Sequence, residues 1–171
     1  MRISEYVMLR ISEHVSHIFY VPGGGSMWLV EDMSRNPKIT PVSMLHEQGA
    51  AFAACGYAAY KGLGVFLTTS GPGATNAITP VAAAWMDSYP VIGISGQVQT
   101  KTMMTGLGLR SFGSQEVDIV DMVKVITKYA VTVLKAEDIK DVMNHAIALA
   151  FNGRQGPVWI DIPLDIQARE I

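Results

Sequence analysis

One carboxyl side chain stands at the head of a run that is otherwise made of small and apolar residues. Residues 43–60 read SMLHEQGAAFAACGYAAY, and Glu47 opens an Ala- and Gly-rich helix that the pattern predicts over 46–61. Burial raises the pKa of a carboxyl because it disfavours the charged form, whereas a helix N-terminus favours the charge by about 0.3–1 kcal/mol. Small residues allow close packing, so we expect burial to dominate and Glu47 to hold a proton in a dry site.

Position alone favours a simpler explanation for Glu47, an acid that complements the helix dipole without doing chemistry. Its neighbours are less informative. His46 is expected to cap the helix or to form a hydrogen bond rather than to donate a proton, and Gln48 either orients Glu47 or faces solvent. Cys55, inside the same run, is expected to be a small buried hydrophobe.

Strand and helix patterns alternate along the rest of the chain. Strands are predicted at 17–21, 38–43, 64–70, 90–96, 128–134 and 156–165, and helices at 3–15, 27–35, 46–61, 72–88, 117–123 and 136–153. Ser26 is the expected N-cap of the second helix. The alternation predicts one doubly wound α/β unit over 1–171, with a mostly parallel sheet of about six strands and helices on both faces. Ligands bind such sheets beyond the carboxyl ends of the strands.

Glycine-rich turns follow two of these strands, at 22–26 (PGGGS) and 71–76 (GPGATN). A dinucleotide fingerprint would need a third glycine where Trp28 or Asn76 stands, and no acidic residue ends the second strand. No phosphate-binding Gly-Lys-Ser or Gly-Lys-Thr loop occurs either, so the pattern argues against nucleotide binding. Tight turns explain the glycines, but they do not explain the polar Asn76 one turn into an apolar helix.

The amino-acid composition of the chain limits the kinds of partner that it can bind. The chain is 49% hydrophobic and 16% charged, against about 25% charged in a typical soluble domain; either a sheet covered on both faces or a surface that meets another protein accounts for this. A net charge of −2 without a basic stripe predicts no nucleic-acid partner. The N-terminus lacks the apolar core of a signal peptide, and no run approaches the roughly 20 apolar residues of a membrane span. The single cysteine favours a reducing, cytoplasmic location.

Six motifs in order resemble one enzyme family. They read VPGGGSMWLVEDM, HEQGAAFAACGYA, TSGPGATN, AAAWMDSYPVIGISGQV, QEVDIV and GPVWIDIPLDIQ. Together they resemble the N-terminal pyrimidine-binding (PYR) domain of acetolactate synthase-like thiamine diphosphate enzymes, over nearly the whole chain. No single motif would be specific, but Glu47 followed by TSGPGATN at this distance is.

The resemblance implies a cofactor that lies in a V shape between two chains. The PYR domain would hold the aminopyrimidine, and the diphosphate-binding domain of a partner subunit would hold the diphosphate through Mg²⁺, so no metal ligand is expected here. Glu47 would hydrogen-bond the pyrimidine nitrogen opposite the amino group and favour the imine tautomer that accepts the thiazolium proton. The implied catalytic residues are Glu47 and Gln115, and the implied cofactor-binding residues are Pro22, Gly23, Glu47, Thr69, Pro72 and Asn76.

The implied activity is decarboxylation of a small 2-oxo acid followed by carboligation, in a homodimer or larger assembly. The middle and diphosphate-binding domains of the family are absent from this sequence, so the chain alone is expected to be inactive. FAD is compatible with the complete enzyme but has no support in this chain. Residues 97–116 form a longer segment than in the biosynthetic acetolactate synthases, which leaves the substrate open. The alternatives are a PYR subunit of a split 2-oxo acid decarboxylase and a non-catalytic association domain.

Overall fold

The computed structural model describes all residues from 1 to 171 and contains one six-stranded sheet and eight α-helices. The strands are β1 (His17–Tyr20), β2 (Thr40–Ser43), β3 (Gly64–Thr68), β4 (Val91–Gln97), β5 (Tyr129–Thr132) and β6 (Val158–Pro163). The helices are α1 (Ile3–Ile11), α2 (Met27–Arg35), α3 (Glu47–Lys61), α4 (Pro72–Asn76), α5 (Ile78–Asp87), α6 (Ile119–Val123), α7 (Ile139–Phe151) and α8 (Leu164–Gln167).

Every strand pair in the sheet is parallel, in the order β2-β1-β3-β4-β6-β5. The inner strands β3, β4 and β6 are buried along their whole length, as parallel strands covered on both faces must be. Pro41 lies on β2 at one edge, where a residue without an N–H is tolerated. The predicted doubly wound α/β fold is confirmed.

Helices cover both faces of the sheet and divide the core into two layers. The larger apolar cluster lies under α1, α2, α7 and α8, and the smaller one lies under α3 to α6. Neighbouring residues of β6 alternate between them: Ile160 joins the first cluster, whereas Trp159 joins the second and packs edge-on against Phe66. The alternation follows from the two-residue period of a strand.

The small residues of α3 bring its backbone directly onto the sheet, as the Ala- and Gly-rich pattern predicts. A Cβ built on Gly64 of β3 would lie 1.9 Å from the carbonyl oxygen of Ala54, so only glycine fits there. This close packing sets the height of Glu47 above the carboxyl edge of the sheet. None of the eight helices has both the length and the apolar character that crossing a membrane requires.

Four local predictions differ from the structure. The strand predicted over 156–165 ends at Pro163, after which α8, which was not predicted, begins. The helix predicted over 72–88 is two helices that meet at Ala77, because Pro80 cannot donate a backbone hydrogen bond to the preceding turn. The first helix ends at Ile11 rather than continuing to residue 15. Ser26 stands at the N-cap position of α2 as predicted, but its side chain makes no capping hydrogen bond: it lies in a 3-10 turn, and its hydroxyl donates to the carbonyl of Gly23.

Candidate functional site

The predicted site residues gather where β1 and β3 end. Pro22 and Gly23 follow β1, Thr69 follows β3, and α3 begins with Glu47 beside them. β1 and β3 are neighbours in the sheet, so the two turns that follow them lie next to each other. This is the carboxyl edge of a doubly wound sheet, where ligands of such folds bind.

Glu47 has one carboxylate oxygen engaged and the other free of any hydrogen bond from the chain. Nδ2 of Asn76, at the end of α4, donates to Oε2 of Glu47 over 2.9 Å. Oε1 faces the next turn, since a Cβ built on Gly73 would lie 3.2 Å from it. Asn76, the residue that tight turns did not explain, therefore fixes the orientation of the carboxyl.

Thr69 links the glycine turn after β1 to the turn after β3. Its hydroxyl oxygen accepts a hydrogen bond from the N–H of Gly25 over 3.1 Å. A Cβ built on Gly23 would lie 2.4 Å from Cβ of Thr69, and one built on Gly73 would lie 2.7 Å from its Cγ2. The absence of a side chain at Gly23 and Gly73 thus lets both turns pack their backbones directly against Thr69, and Pro72 lies exposed at the start of α4 nearby.

Gln115 reaches the site through its backbone. Gly71 has φ of +58° and ψ of −119°, a conformation open only to glycine, and a Cβ built on it would lie 1.8 Å from the carbonyl oxygen of Gln115. Gln115 itself has φ of +59°, which is uncommon for a residue with a side chain. Its side chain is exposed and makes no hydrogen bond within the chain, so its catalytic role stays a prediction.

The next residue, Glu116, organises the long segment at 97–116. Its buried carboxylate accepts backbone hydrogen bonds from Met104 over 2.6 Å, from Phe112 over 2.9 Å and from Gly113 over 3.0 Å. Apart from a 3-10 turn at Thr100–Thr102, the segment has no regular element, as predicted. The sequence analysis did not single out Glu116, although an acid inside a glycine-rich loop with many free N–H groups is a signal for this role.

Asp161 is a second buried acid that the sequence analysis missed. Its carboxyl on β6 accepts hydrogen bonds from the hydroxyl of Ser95 over 2.6 Å, from Nε2 of Gln97 over 3.2 Å and from the hydroxyl of Thr132 over 3.1 Å. Burial raises the pKa of Asp161 from 3.8 to about 7, against the opposing effect of these donors. An acid inside an otherwise apolar strand signals such a network, since an unpartnered buried charge is costly.

The residues around Glu47 behave in part as predicted. Nδ1 of His46 accepts a hydrogen bond from the N–H of Gln48, which confirms that His46 caps α3. The side chain of Gln48 makes no hydrogen bond to Glu47. Cys55 is buried, as expected, and its thiol lies 3.6 Å from the carbonyl oxygen of Pro80.

The dry surroundings expected for Glu47 are not complete within this chain. Glu47 is only partly buried, and Asn76 is exposed, because nothing from the chain covers this edge of the sheet. Leu45 and Phe52, on either side of Glu47 in the sequence, are exposed as well; α3 and α5 also expose Tyr60, Trp85 and Met86, but at the ends that lead into β3 and β4, away from Glu47. No group of three or more His, Cys, Asp or Glu side chains could hold a metal ion.

Comparisons with known proteins place this geometry in a family context. Residues 1–122 match the family model described as "Thiamine pyrophosphate enzyme, N-terminal TPP binding domain". Acetolactate synthase 1, chloroplastic, of Oryza sativa subsp. japonica is 47% identical over 154 residues, covering 90% of this chain and 23% of the relative. The enzyme of the same name from Zea mays is 45% identical over the same coverage.

A third relative, acetolactate synthase, chloroplastic, of Arabidopsis thaliana, is 42% identical over 154 residues, covering 90% of this chain and 22% of its own. The chain therefore spans under a quarter of the length of these curated relatives. The resemblance drawn from the sequence motifs is confirmed, and it extends over most of the residues that form the site.

Proposed function

Because the chain belongs to the thiamine pyrophosphate enzyme family through its N-terminal TPP binding domain, we propose that it forms the pyrimidine-binding half of a thiamine diphosphate site. Glu47 is the central residue of that half-site. The observation that carries the proposal is the carboxyl of Glu47, which Asn76 holds at Oε2 while Oε1 is left without a partner from the chain.

The residues present fit the ring of the cofactor. Gly73 has no Cβ, and one built there would lie 3.2 Å from Oε1 of Glu47, so a flat group can enter the space beside this oxygen without meeting a side chain at that position. A pyrimidine nitrogen needs one donor or acceptor at that position, and a carboxyl can be either according to its protonation. The other proposed cofactor-binding residues, Pro22, Pro72 and Asn76, lie in the turns that border this space.

Thiamine diphosphate, when bound, supplies a thiazolium carbon that adds to the carbonyl group of 2-oxo acids. The part of this chain is to hold a proton at Oε1 of Glu47 and to keep the carboxyl in one orientation through Asn76. Gln115, whose backbone is fixed by Gly71, is the proposed catalytic residue on the substrate side. The proposed reaction is the acetolactate synthase-like decarboxylation of a small 2-oxo acid with carboligation.

A partner surface would complete the site. Leu45 and Phe52 are the exposed large apolar residues closest to Glu47 along the chain, and a surface that covered them would also remove water from the carboxyl. We assign this cover to a diphosphate-binding domain of a partner subunit that holds Mg²⁺, within a homodimer or larger assembly. Residues 1–171 are proposed to be one PYR-type unit, since β5 and β6, beyond the matched residues, belong to the same sheet. A cytoplasmic location stays part of the proposal, although the plant relatives named above are chloroplastic.

The test combines cofactor binding with turnover. Thiamine diphosphate and Mg²⁺ are titrated calorimetrically into the chain alone and into its mixture with a diphosphate-binding domain taken from one of the relatives. We expect binding only in the mixture, and in the assembled enzyme we expect Glu47→Gln to lower turnover by about 10²–10⁴-fold. Glu137→Gln, which removes an exposed charge far along the chain, is the matched control.

Three outcomes separate the candidates. Near-normal turnover in Glu47→Gln would refute the assignment of Glu47. Assembly with the partner domain but no cofactor binding would indicate a non-catalytic association domain. Decarboxylation without carboligation would favour the PYR subunit of a split 2-oxo acid decarboxylase.

A further inference from the structure

One residue of the glycine turn after β1, Gly25, is held from three directions. The N–H of Gly25 donates to Oγ1 of Thr69 over 3.1 Å, and the carbonyl of Gly25 accepts from Nε2 of Gln167 over 2.7 Å. The third contact is with β4: a Cβ built on Gly96 would lie 2.0 Å from the carbonyl oxygen of Gly25 and 2.7 Å from the nitrogen of Ser26. The backbone of Gly25 therefore rests directly on the strand, and both its N–H and its carbonyl group are hydrogen-bonded.

Gln167 is fully buried on α8, and its amide orientation is determined by its partners. Nε2 donates to the carbonyl of Ile162 over 2.7 Å as well as to Gly25, so both amide hydrogens are used. Turning the amide over would set its oxygen against two carbonyl oxygens, and the existing orientation leaves Oε1 without a donor. The amide therefore keeps the orientation that makes two hydrogen bonds to carbonyl groups, although its own oxygen then has no donor.

The contacts of Gly25 with Thr69, Gln167 and Gly96 are called the Gly25 clamp. This clamp also determines where the glycine turn lies relative to Thr69. Gly23 is two residues earlier and packs directly against Thr69, the same side chain that receives the N–H of Gly25. If Gln167 released the carbonyl of Gly25, the turn could lift from Gly96. The direct contact between Gly23 and Thr69 would then no longer be held in place.

The far end of α8 is anchored to the first helix. The hydroxyl of Ser4 donates to the backbone carbonyl of Gln167 over 3.1 Å and to Oδ2 of Asp32 over 2.6 Å. Beyond α8, Arg2 and Glu170 form an antiparallel bridge. The segment that carries Gln167 is thus fixed at its own backbone, independently of the glycine turn.

We propose that Gln167 is a positioning residue for the cofactor half-site: its hydrogen bond to Gly25 sets Pro22 and Gly23 against Thr69. The inference rests on the proposed function, because it assumes that this turn borders the pyrimidine. It also couples the turn to the segment at 164–171, which is more than 130 residues away along the sequence. Gln167 touches no reacting atom in this assignment and acts only through Gly25.

The first experiment tests the clamp without any cofactor. Gln167→Met removes both donors at similar volume, and Gln167→Glu keeps the shape but offers only acceptors to the two carbonyls. Ser12→Ala is the control, since it removes only the exposed hydrogen bond from Ser12 to the carbonyl of Leu9 at the end of α1. Amide hydrogen exchange of Gly25 and Ser26 should be about tenfold faster or more in both Gln167 variants, relative to amides of the central strands. Equal exchange in Ser12→Ala and the Gln167 variants would overturn the clamp.

The second experiment tests its consequence in an assembled enzyme, with this chain replacing the matched segment of the rice relative. Gln167→Met should raise the KM for thiamine diphosphate about tenfold or more, while kcat at saturating cofactor stays within about twofold. Ser12→Ala should change neither. An unchanged KM in Gln167→Met would overturn this inference alone, whereas an unmutated protein that fails to bind thiamine diphosphate would overturn the proposed function and this inference with it.

Discussion

Nδ2 of Asn76 donates a 2.9 Å hydrogen bond to Oε2 of Glu47 across 29 positions of sequence. The two residues belong to different helices, α3 and α4, whose N-terminal and C-terminal ends meet above the sheet. The bond leaves a single carboxylate oxygen available to a ligand. It therefore gives the carboxyl one working orientation rather than two.

Replacing Asn76 by Ala should release the carboxyl of Glu47 while leaving the fold unchanged. A hydrogen bond to a neutral carboxyl contributes about 0.5–1.5 kcal/mol, so cofactor-dependent turnover in the assembled enzyme should fall roughly 2- to 10-fold. Steady-state kinetics at varied thiamine diphosphate checks this. Asn144→Ala, which removes an exposed hydrogen bond from Arg10 on the opposite face, should have no such effect. Wild-type turnover in Asn76→Ala would show that Glu47 needs no support from Asn76.

Gly71→Ala should destabilise the protein and displace Gln115. The backbone at Gly71 excludes a Cβ, and the added methyl would collide with the carbonyl of Gln115, so we expect a loss of about 2 kcal/mol or more in the free energy of unfolding. Urea denaturation measures it. Gly56→Ala is the contrast: Gly56 lies inside α3 with open space around it, and alanine there should stabilise by up to about 1 kcal/mol. Equal effects of the two substitutions would contradict the close approach at Gly71.

Glu116→Gln should loosen the segment at 104–116. The carboxylate accepts three backbone N–H groups, whereas an amide has a single acceptor oxygen and an NH₂ that opposes the remaining donors. We expect amide exchange at Met104, Phe112 and Gly113 to rise about tenfold or more, and limited proteolysis to cut the segment first. Glu137→Gln should leave both unchanged. Amide exchange that is as slow in Glu116→Gln as in the unmutated protein would mean that side-chain packing orders the loop.

Asp161 should make the folded state less stable as the pH rises from about 4 to about 7. Its pKa is 3.8 in the unfolded chain and about 7 in the folded one, so over that range the folded state keeps a proton that the unfolded state has lost. The shift corresponds to roughly 4 kcal/mol at pH 7 and above. Below about pH 4 the contribution vanishes, because both states are protonated.

The substitution Asp161→Asn removes the titrating carboxyl and therefore isolates its contribution to the pH dependence of stability. Its amide can donate to the hydroxyl of Ser95 while its oxygen accepts from Gln97 and Thr132, which keeps the network largely satisfied. Chemical denaturation of both proteins between pH 4 and 8 should show the stability of the wild type falling relative to that of the variant. A difference that does not change with pH would show that Asp161 stays ionised.

Cys55 should be unreactive in the folded protein. Burial raises the pKa of its thiol to about 11, and the thiolate is the reactive form. At pH 8 we expect iodoacetamide to label the native chain roughly 100-fold more slowly than the chain in denaturant, as followed by mass spectrometry. Rapid labelling of the native chain would mean that α3 opens from α5.

The order of strands and helices could be predicted from the sequence because each element has its own local pattern of apolar residues. The strands at 64–70 and 90–96 are apolar runs bounded by turns, and α3 and α7 have apolar residues at helical spacing, so element type and order follow from periodicity. The break at Ala77 was not predicted, because Pro80 lies inside an apolar run that is typical of a single helix. Ser26 was assigned as a cap from its residue type, but the 3-10 turn before α2 directs its hydroxyl to Gly23 instead.

The sequence alone therefore determined the doubly wound fold, the helix that Glu47 opens and, through motifs in order, the family. Only the tertiary structure decided which side chains meet. Asn76 reaches Glu47, Glu116 gathers its own loop, Asp161 joins three strands, and Gln167 holds Gly25 from 142 positions away. The physical reason is that periodicity and turn chemistry act over a few residues, whereas these contacts depend on strand order and on the close approach of backbones. Glycines at Gly71 and Gly96 permit that approach, and their partners cannot be inferred from the neighbouring sequence.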